Sequence, residues 1–228
     1  MCRGDDRVLT NPVYAALTGP HAGVAEVRGN ARRYPPAAAP FLGLPDDPTP
    51  QDWADAGVLL GPGTTAALMR PEFPIPDGFK LDLHIDLVQF VAPADLPAED
   101  PEAVLLGPDD VPEMLALVAL TDPGPFRTRT IELGTYLGIR REGELIAMAG
   151  TRFALPDHTE ISAVCTHPSY QGQGLATRLI RAVAAHITAA GRTPMLHTGG
   201  SNTNAIRLYN SLGFTLTNRM KVTLVQAL

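Results

Sequence analysis

One stretch constrains the chain more than any other: residues 167–190, HPSYQGQGLATRLIRAVAAHITAA. It follows a strand-like run, EISAVCT, over 160–166, and Pro168 closes that run because proline cannot donate to a sheet ladder. Leu175, Leu179, Val183 and Ile187 then recur at every fourth position, which predicts one apolar face of a helix. Between strand and helix lie Gln171, Gly172, Gln173, Gly174, Leu175, Ala176 and Thr177. The first turn of a helix carries N–H groups with no intrahelical partner, at the positive end of the macrodipole. Glycines before it let an anion approach the backbone closely.

Charge points the same way. Residues 161–228 hold no Asp or Glu but contain Arg178, Arg181, Arg192, Arg207, Arg219 and Lys221. That segment is therefore +6, and residues 1–160 carry −12 of the chain's net −6. A positive field beside the loop favours a phosphorylated ligand. The acidic balance overall argues against general nucleic-acid binding.

At 45% hydrophobic and 18% charged, the 228 residues are expected to bury a proper core as one large domain or two small ones. No apolar run reaches the ~20 residues of a membrane span, and MCRGDDRVLT lacks the apolar centre of a signal peptide. Cys2 and Cys165, far apart and unlike in context, do not outline a disulfide framework, so the expected compartment is the cytoplasm.

Residues 1–101 differ in texture and hold 15 of the 22 prolines. Here the pattern predicts short helices near 14–17 and over 51–60, and a strand over 80–91 with alternating Leu81, Leu83 and Ile85. Residues 93–101 read as a linker. The second part is more regular: a short strand at 103–106, a helix from Val111 with Asp109 or Asp110 as cap, and a hairpin over 135–155. After the central helix come a strand at 195–198, a helix capped by Ser201 or Asn202, and one or two strands over 214–225.

A glycine loop after a strand has several readings. A dinucleotide site would want a third glycine near Thr177 and an acid roughly 20 residues on; neither is present. A phosphate-binding P-loop would need Gly-Lys-Ser/Thr at its end, also missing. Gln-x-x-Gly-x-Ala at 171–176, after a strand ending in His-Pro, resembles the acyl-CoA pyrophosphate loop of the GNAT acyltransferases. A second motif agrees: Asn204, Ala205, Leu208, Tyr209, Gly213 and Phe214 match the family pattern Asn-Ala-x-x-Leu-Tyr-x-x-x-Gly-Phe. The runs 126–140, 147–152 and 160–168 are similar to the glycine N-acyltransferase-like branch.

The resemblance covers about 103–228 and implies a mixed α/β (α+β) GNAT fold, splayed where CoA inserts. Residues 102–228 would be the catalytic domain. Residues 1–101 would be an N-terminal region, with a degenerate second GNAT-like unit as one reading of it. The resemblance implies acetyl-CoA or another acyl-CoA as co-substrate and no metal. Val164, Cys165 and Thr166 would hydrogen-bond the pantetheine arm as an added strand, Gln171 to Thr177 would hold the pyrophosphate, Asn204 would contact the pantetheine, and Tyr209 would protonate the departing thiolate. Glu160, the last acid in the chain, would be the base that deprotonates an amine, with His158 as an alternative. The competing reading of Glu160 is a salt bridge to Arg140 or Arg152. Cys165 reads as a small buried residue rather than a nucleophile, and His197 as a cleft or structural residue. Phe126, Arg127 and Tyr136 would shape the acceptor pocket, with Arg127 either pairing an acceptor carboxylate or forming a structural ion pair.

The implied reaction is transfer of a short acyl group to a primary amine of a small acceptor, such as an amino acid. Neither nucleic acid nor membrane is expected as a partner, and a homodimer is compatible with the family. A non-catalytic acyl-CoA sensor is the alternative: it would keep the loop but not need Glu160 or Tyr209.

Overall fold

A computed structural model describes residues 6–71 and 73–228; Cys2 and Glu72 lie outside the described residues. In chain order the elements are α1 (Asp6–Thr10), α2 (Pro12–Thr18), β1 (Glu26–Arg28), β2 (Ala31–Arg33), β3 (Leu42–Gly43), α3 (Pro50–Leu60), β4 (Thr65–Arg70) and β5 (Phe79–Val91). There follow β6 (Val104–Leu105), α4 (Val111–Thr121), β7 (Tyr136–Arg141), β8 (Glu144–Ala154), β9 (His158–Thr166), α5 (Leu175–Ala189), β10 (Thr193–Gly199), α6 (Thr203–Ser211) and β11 (Thr215–Ala227).

Local chemistry accounts for most of these. Thr49 and Asp52 form a capping box at the start of α3: the Asp52 N–H donates to the Thr49 hydroxyl at 3.2 Å, and the Thr49 N–H to the Asp52 carboxylate at 2.8 Å. Asn202, one of the two expected caps, accepts from the Ala205 N–H at 3.1 Å and starts α6. The expected hairpin is β7–β8, turned through Glu142 and Gly143 at positive φ. The sequence pattern predicts no element over residues 65–70; they form β4, whose buried apolar run Ala66 to Met69 is short enough to be a fully covered strand.

Eight strands form one mixed sheet in the order β4-β11-β5-β10-β9-β8-β7-β6. The sheet does not break at the boundary expected near residue 101. β5 lies between β11 and β10, in the middle of the sheet, although it belongs to the first part of the chain. On one face α5 and α6 bury Leu179, Val183 and Tyr209 against Phe90, Ile161 and Leu196. On the other face α4 covers Tyr136, Met148 and Cys165, while α2 and the segment around Tyr34 to Phe41 cover Phe153, Met195 and Met220. Phe153 is the hinge of that second layer, edge-on to Phe41 at 5.1 Å and stacked with Tyr34 at 6.0 Å.

Two irregularities in β9 open the sheet. β9 and β10 run parallel but pair only as far as Ile161 and Leu196; beyond that point the strands diverge. Just past the divergence β9 carries an extra residue relative to β8, between Ser162 and Cys165, and Ala163 there has φ +52°. A non-glycine residue in that region is strained, and a bulge re-aims the strand that follows it.

Candidate active site

Two cavities flank the divergence of β9 and β10. The first, about 520 Å³, is lined by Val164 to Thr166 of β9, by the loop residues Gln171, Gly172 and Gly174, and by the first turn of α5 from Leu175 to Thr177. Asn204, Leu208 and Tyr209 of α6 close its far side. Every residue expected to hold the thioester carrier lines this cavity except Gln173.

Its chemistry suits an extended anionic ligand. Gly172 and Gly174 stand at φ +78° and +75°, and a Cβ on either would meet no atom within 4 Å. The loop is therefore open on the ligand side, and glycine is required by the backbone rather than by crowding. Gly174 is the N-cap of α5, so the N–H groups of the first turn are presented to the cavity. Thr166 lines this cavity, and its hydroxyl is buried without a hydrogen-bond partner.

Cys165 is buried and its thiol is pushed up to about 11, chiefly by burial, so it stays protonated and behaves as a small core residue. The basic field inferred for this region is partly cancelled: Arg178, in the first turns of α5, is clamped by Asp100 through contacts of 2.6 and 2.7 Å and by Glu102 at 2.5 Å. Asp100 lies at the end of the expected linker and Glu102 just beyond it, so the linker is tied to the helix.

The second cavity, about 680 Å³, lies on the other side of the opening. It shares Val164, Asn202, Ala205 and Tyr209 with the first, so the two spaces meet at Tyr209. Tyr209 is 7% exposed, and burial, with a smaller contribution from the Glu160 charge, raises its phenol to about 12. The hydroxyl is therefore a proton donor at any ordinary pH.

Glu160 does not line either cavity. It is 1% exposed, and both oxygens are occupied: Arg152 Nε donates to Oε2 and Arg152 Nη2 to Oε1, each at 2.8 Å, while His197 Nδ1 lies 2.8 Å from Oε1. Burial works to raise this carboxyl, but the Arg152 charge and the bonds from His197 and Arg152 overcome it and hold the group at about 2. A carboxylate this acidic, fully bonded and away from the cavity wall is not placed to accept a proton from an amine. The expectation of Glu160 as direct base thus gives way to the salt bridge with Arg152; Arg140 instead pairs with Asp110 and Glu113.

His197 is fixed by the same network. Glu160 can only accept, so Nδ1 carries the proton. Gln89 Nε2 donates to Nε2 at 2.8 Å, because Gln89 Oε1 is already taken by Asn218 at 2.6 Å and Thr217 at 3.2 Å. Arg152 and His197 both line the second cavity, so Glu160 sets the wall from behind.

Of the residues expected to shape the acceptor pocket, only Arg127 lines the second cavity. Phe126 and Tyr136 are buried, packed edge-to-face at 5.4 Å in the core under α4. The Tyr136 ring lies over Gly150, where a Cβ would come within 2.3 Å of it. Sequence reasoning missed Gln89 and the wall formed by Phe41, Ala67, Met69, Val222 and Leu224. The only local signal for the latter was the apolar run in β4.

The family comparison fits this geometry. A solved structure from Novosphingobium aromaticivorans, assigned to the GNAT acetyltransferases, is 41% identical over 96% of this chain and 98% of that one, with a TM-score of 0.88. The chain belongs to the GNAT family. The family model described as FR47-like protein matches residues 136–222 of this GNAT protein, from β7 into β11. A GCN5-related N-acetyltransferase from Kribbella flavida shares its fold at 17% identity, covering 94% of this chain and 95% of that one, with a TM-score of 0.62. No curated protein matches it. Among the described residues, no helix of this GNAT protein is long and apolar enough to cross a membrane.

Proposed function

We propose that the protein transfers an acetyl or other short acyl group from acyl-CoA to the primary amine of a small acceptor. The observation that carries this reading is the meeting of two cavities at Tyr209: one with the features of a pyrophosphate and pantetheine groove, the other free to admit an acceptor.

The amine nitrogen bonds to the thioester carbonyl carbon, and the C–S bond breaks after the tetrahedral intermediate. Tyr209 gives its proton to the departing thiolate, and the surplus proton of the amine returns to the phenolate through water, so that amide and free CoA thiol are the products. Backbone N–H groups along the bulged part of β9 stabilise the oxyanion. Glu160 acts as a positioning residue: it holds Arg152 and His197 in the acceptor wall.

Thiol release from acetyl-CoA across a panel of primary amines tests the reading. Turnover with at least one amine, lost in Tyr209→Phe while CoA still binds, is the expected result. Tight CoA binding with no turnover on any amine would favour an acyl-CoA sensor instead.

A further inference from the structure

We infer that the acceptor is an amine carried on a large apolar body, an alkyl or arylalkyl amine, rather than an amino acid. This rests on the acyl-transfer reading above and adds the acceptor's chemical class to it.

The second cavity is larger than an amino acid needs, and one side of it is an apolar floor. Its volume of about 680 Å³ falls within the ~300–1,000 Å³ typical of sites that enclose drug-sized ligands. Its walls are Phe41 from the N-terminal segment, Met69 of β4, Ile85 and Leu87 of β5, and Val222 and Leu224 of β11. These positions adjoin one another in the sheet: Val222 pairs with both Met69 and Ile85, and Met220 with Leu87. They make a continuous apolar floor leading away from Tyr209. Ile85 is 43% exposed, so the floor reaches solvent and the acceptor can enter without passing through the CoA groove.

The charges on the wall do not select a carboxylate: Arg127 and Asp122 both line it and offset one another. Arg152 is already neutralised by Glu160 and lies against both Phe41 and Phe153, its guanidinium carbon 5.0 and 4.6 Å from the two ring centres. Arg127 is exposed, with its guanidinium turned to the Pro36 carbonyl. Asp122, on the same wall, repels a carboxylate and attracts an ammonium group. A carboxylate on the apolar floor would lose its hydration without gaining a partner.

The test is a series of unbranched primary amines from ethylamine to octylamine, with 2-phenylethylamine and glycine, assayed at saturating acetyl-CoA. In parallel, octylamine and glycine are titrated calorimetrically into the CoA-loaded protein. The expected kcat/KM rises with each methylene, up to about fourfold per group for full burial at ~0.8 kcal/mol, and glycine falls below ethylamine. Val222→Thr, which keeps the side chain's shape but adds a hydroxyl, should flatten the series. A flat wild-type series, or a preference for glycine, would overturn the inference. So would tighter use of longer acyl thioesters that compete with the long amines, since the cavity would then belong to the donor. Octylamine binding without turnover on any amine would overturn the acyl-transfer reading alone, while absence of octylamine binding would overturn this inference whatever the turnover.

Discussion

Arg152 and Glu160 face each other across β8 and β9 as a buried fork, two hydrogen bonds of 2.8 Å joining guanidinium to carboxylate with the side chains 8% and 1% exposed. Removing either partner alone leaves an uncompensated charge in the sheet, whereas removing both does not. Glu160→Gln and Arg152→Met should each cost about 3–5 kcal/mol of stability, and the double variant should recover much of that loss. Denaturant unfolding of all four proteins at pH 7 checks this; additive losses would mean the pair is not coupled.

The same pair sets an acid limit. Glu160 is held at about 2, below the 4.5 of a free glutamate. A depressed carboxyl contributes stability that is complete above the unfolded value and is lost as pH falls through the folded one. The contribution, on the order of 3 kcal/mol, should therefore disappear between about pH 4.5 and 2. Thermal melts across that range should fall more steeply for the wild type than for the Arg152→Met/Glu160→Gln double variant.

Tyr209 should act through its proton rather than its ring. Tyr209→Phe keeps the packing against Phe90 and Phe214, 5.9 and 5.7 Å away, and should lower kcat by about a hundredfold or more with little change in CoA affinity. Because the phenol titrates near 12, the wild-type kcat should show no basic limb assignable to this residue below about pH 11. Stopped assays across pH, with calorimetry for CoA, separate these effects.

Gly174→Ala tests the loop. No atom obstructs a Cβ there, but φ +75° is left-handed, so the fold should lose only about 1–2 kcal/mol. CoA should bind about tenfold more weakly as the loop relaxes and the first-turn N–H groups shift. A change in melting temperature without a change in CoA affinity would remove the loop from the binding site.

Asp100 and Glu102 mask Arg178 at the start of α5. The double substitution Asp100→Asn/Glu102→Gln frees that charge near the anion site and should tighten CoA binding severalfold at low ionic strength, an effect that salt near 0.5 M should erase. Equal affinities at both salt concentrations would show that the cluster serves only to tie down the linker.

The sequence by itself determined what depends on neighbours along the chain. Period-four spacing from Leu175 to Ile187, the glycines at 172 and 174, and Asn202 ahead of Ala205 specify a helix, an open loop and a cap through short-range backbone preferences, and the paired motifs point to the GNAT family. Tertiary structure decided what depends on residues far apart. Glu160 could have been a base or an ion-pair partner until Arg152 and His197 were brought against it, with Gln89 holding His197 from the other side. The wall of the second cavity joins Phe41 to Leu224, and the Arg178 charge is cancelled from Asp100. A carboxyl's acidity and a cavity's polarity are sums over whatever the fold packs nearby, and no local pattern encodes that sum.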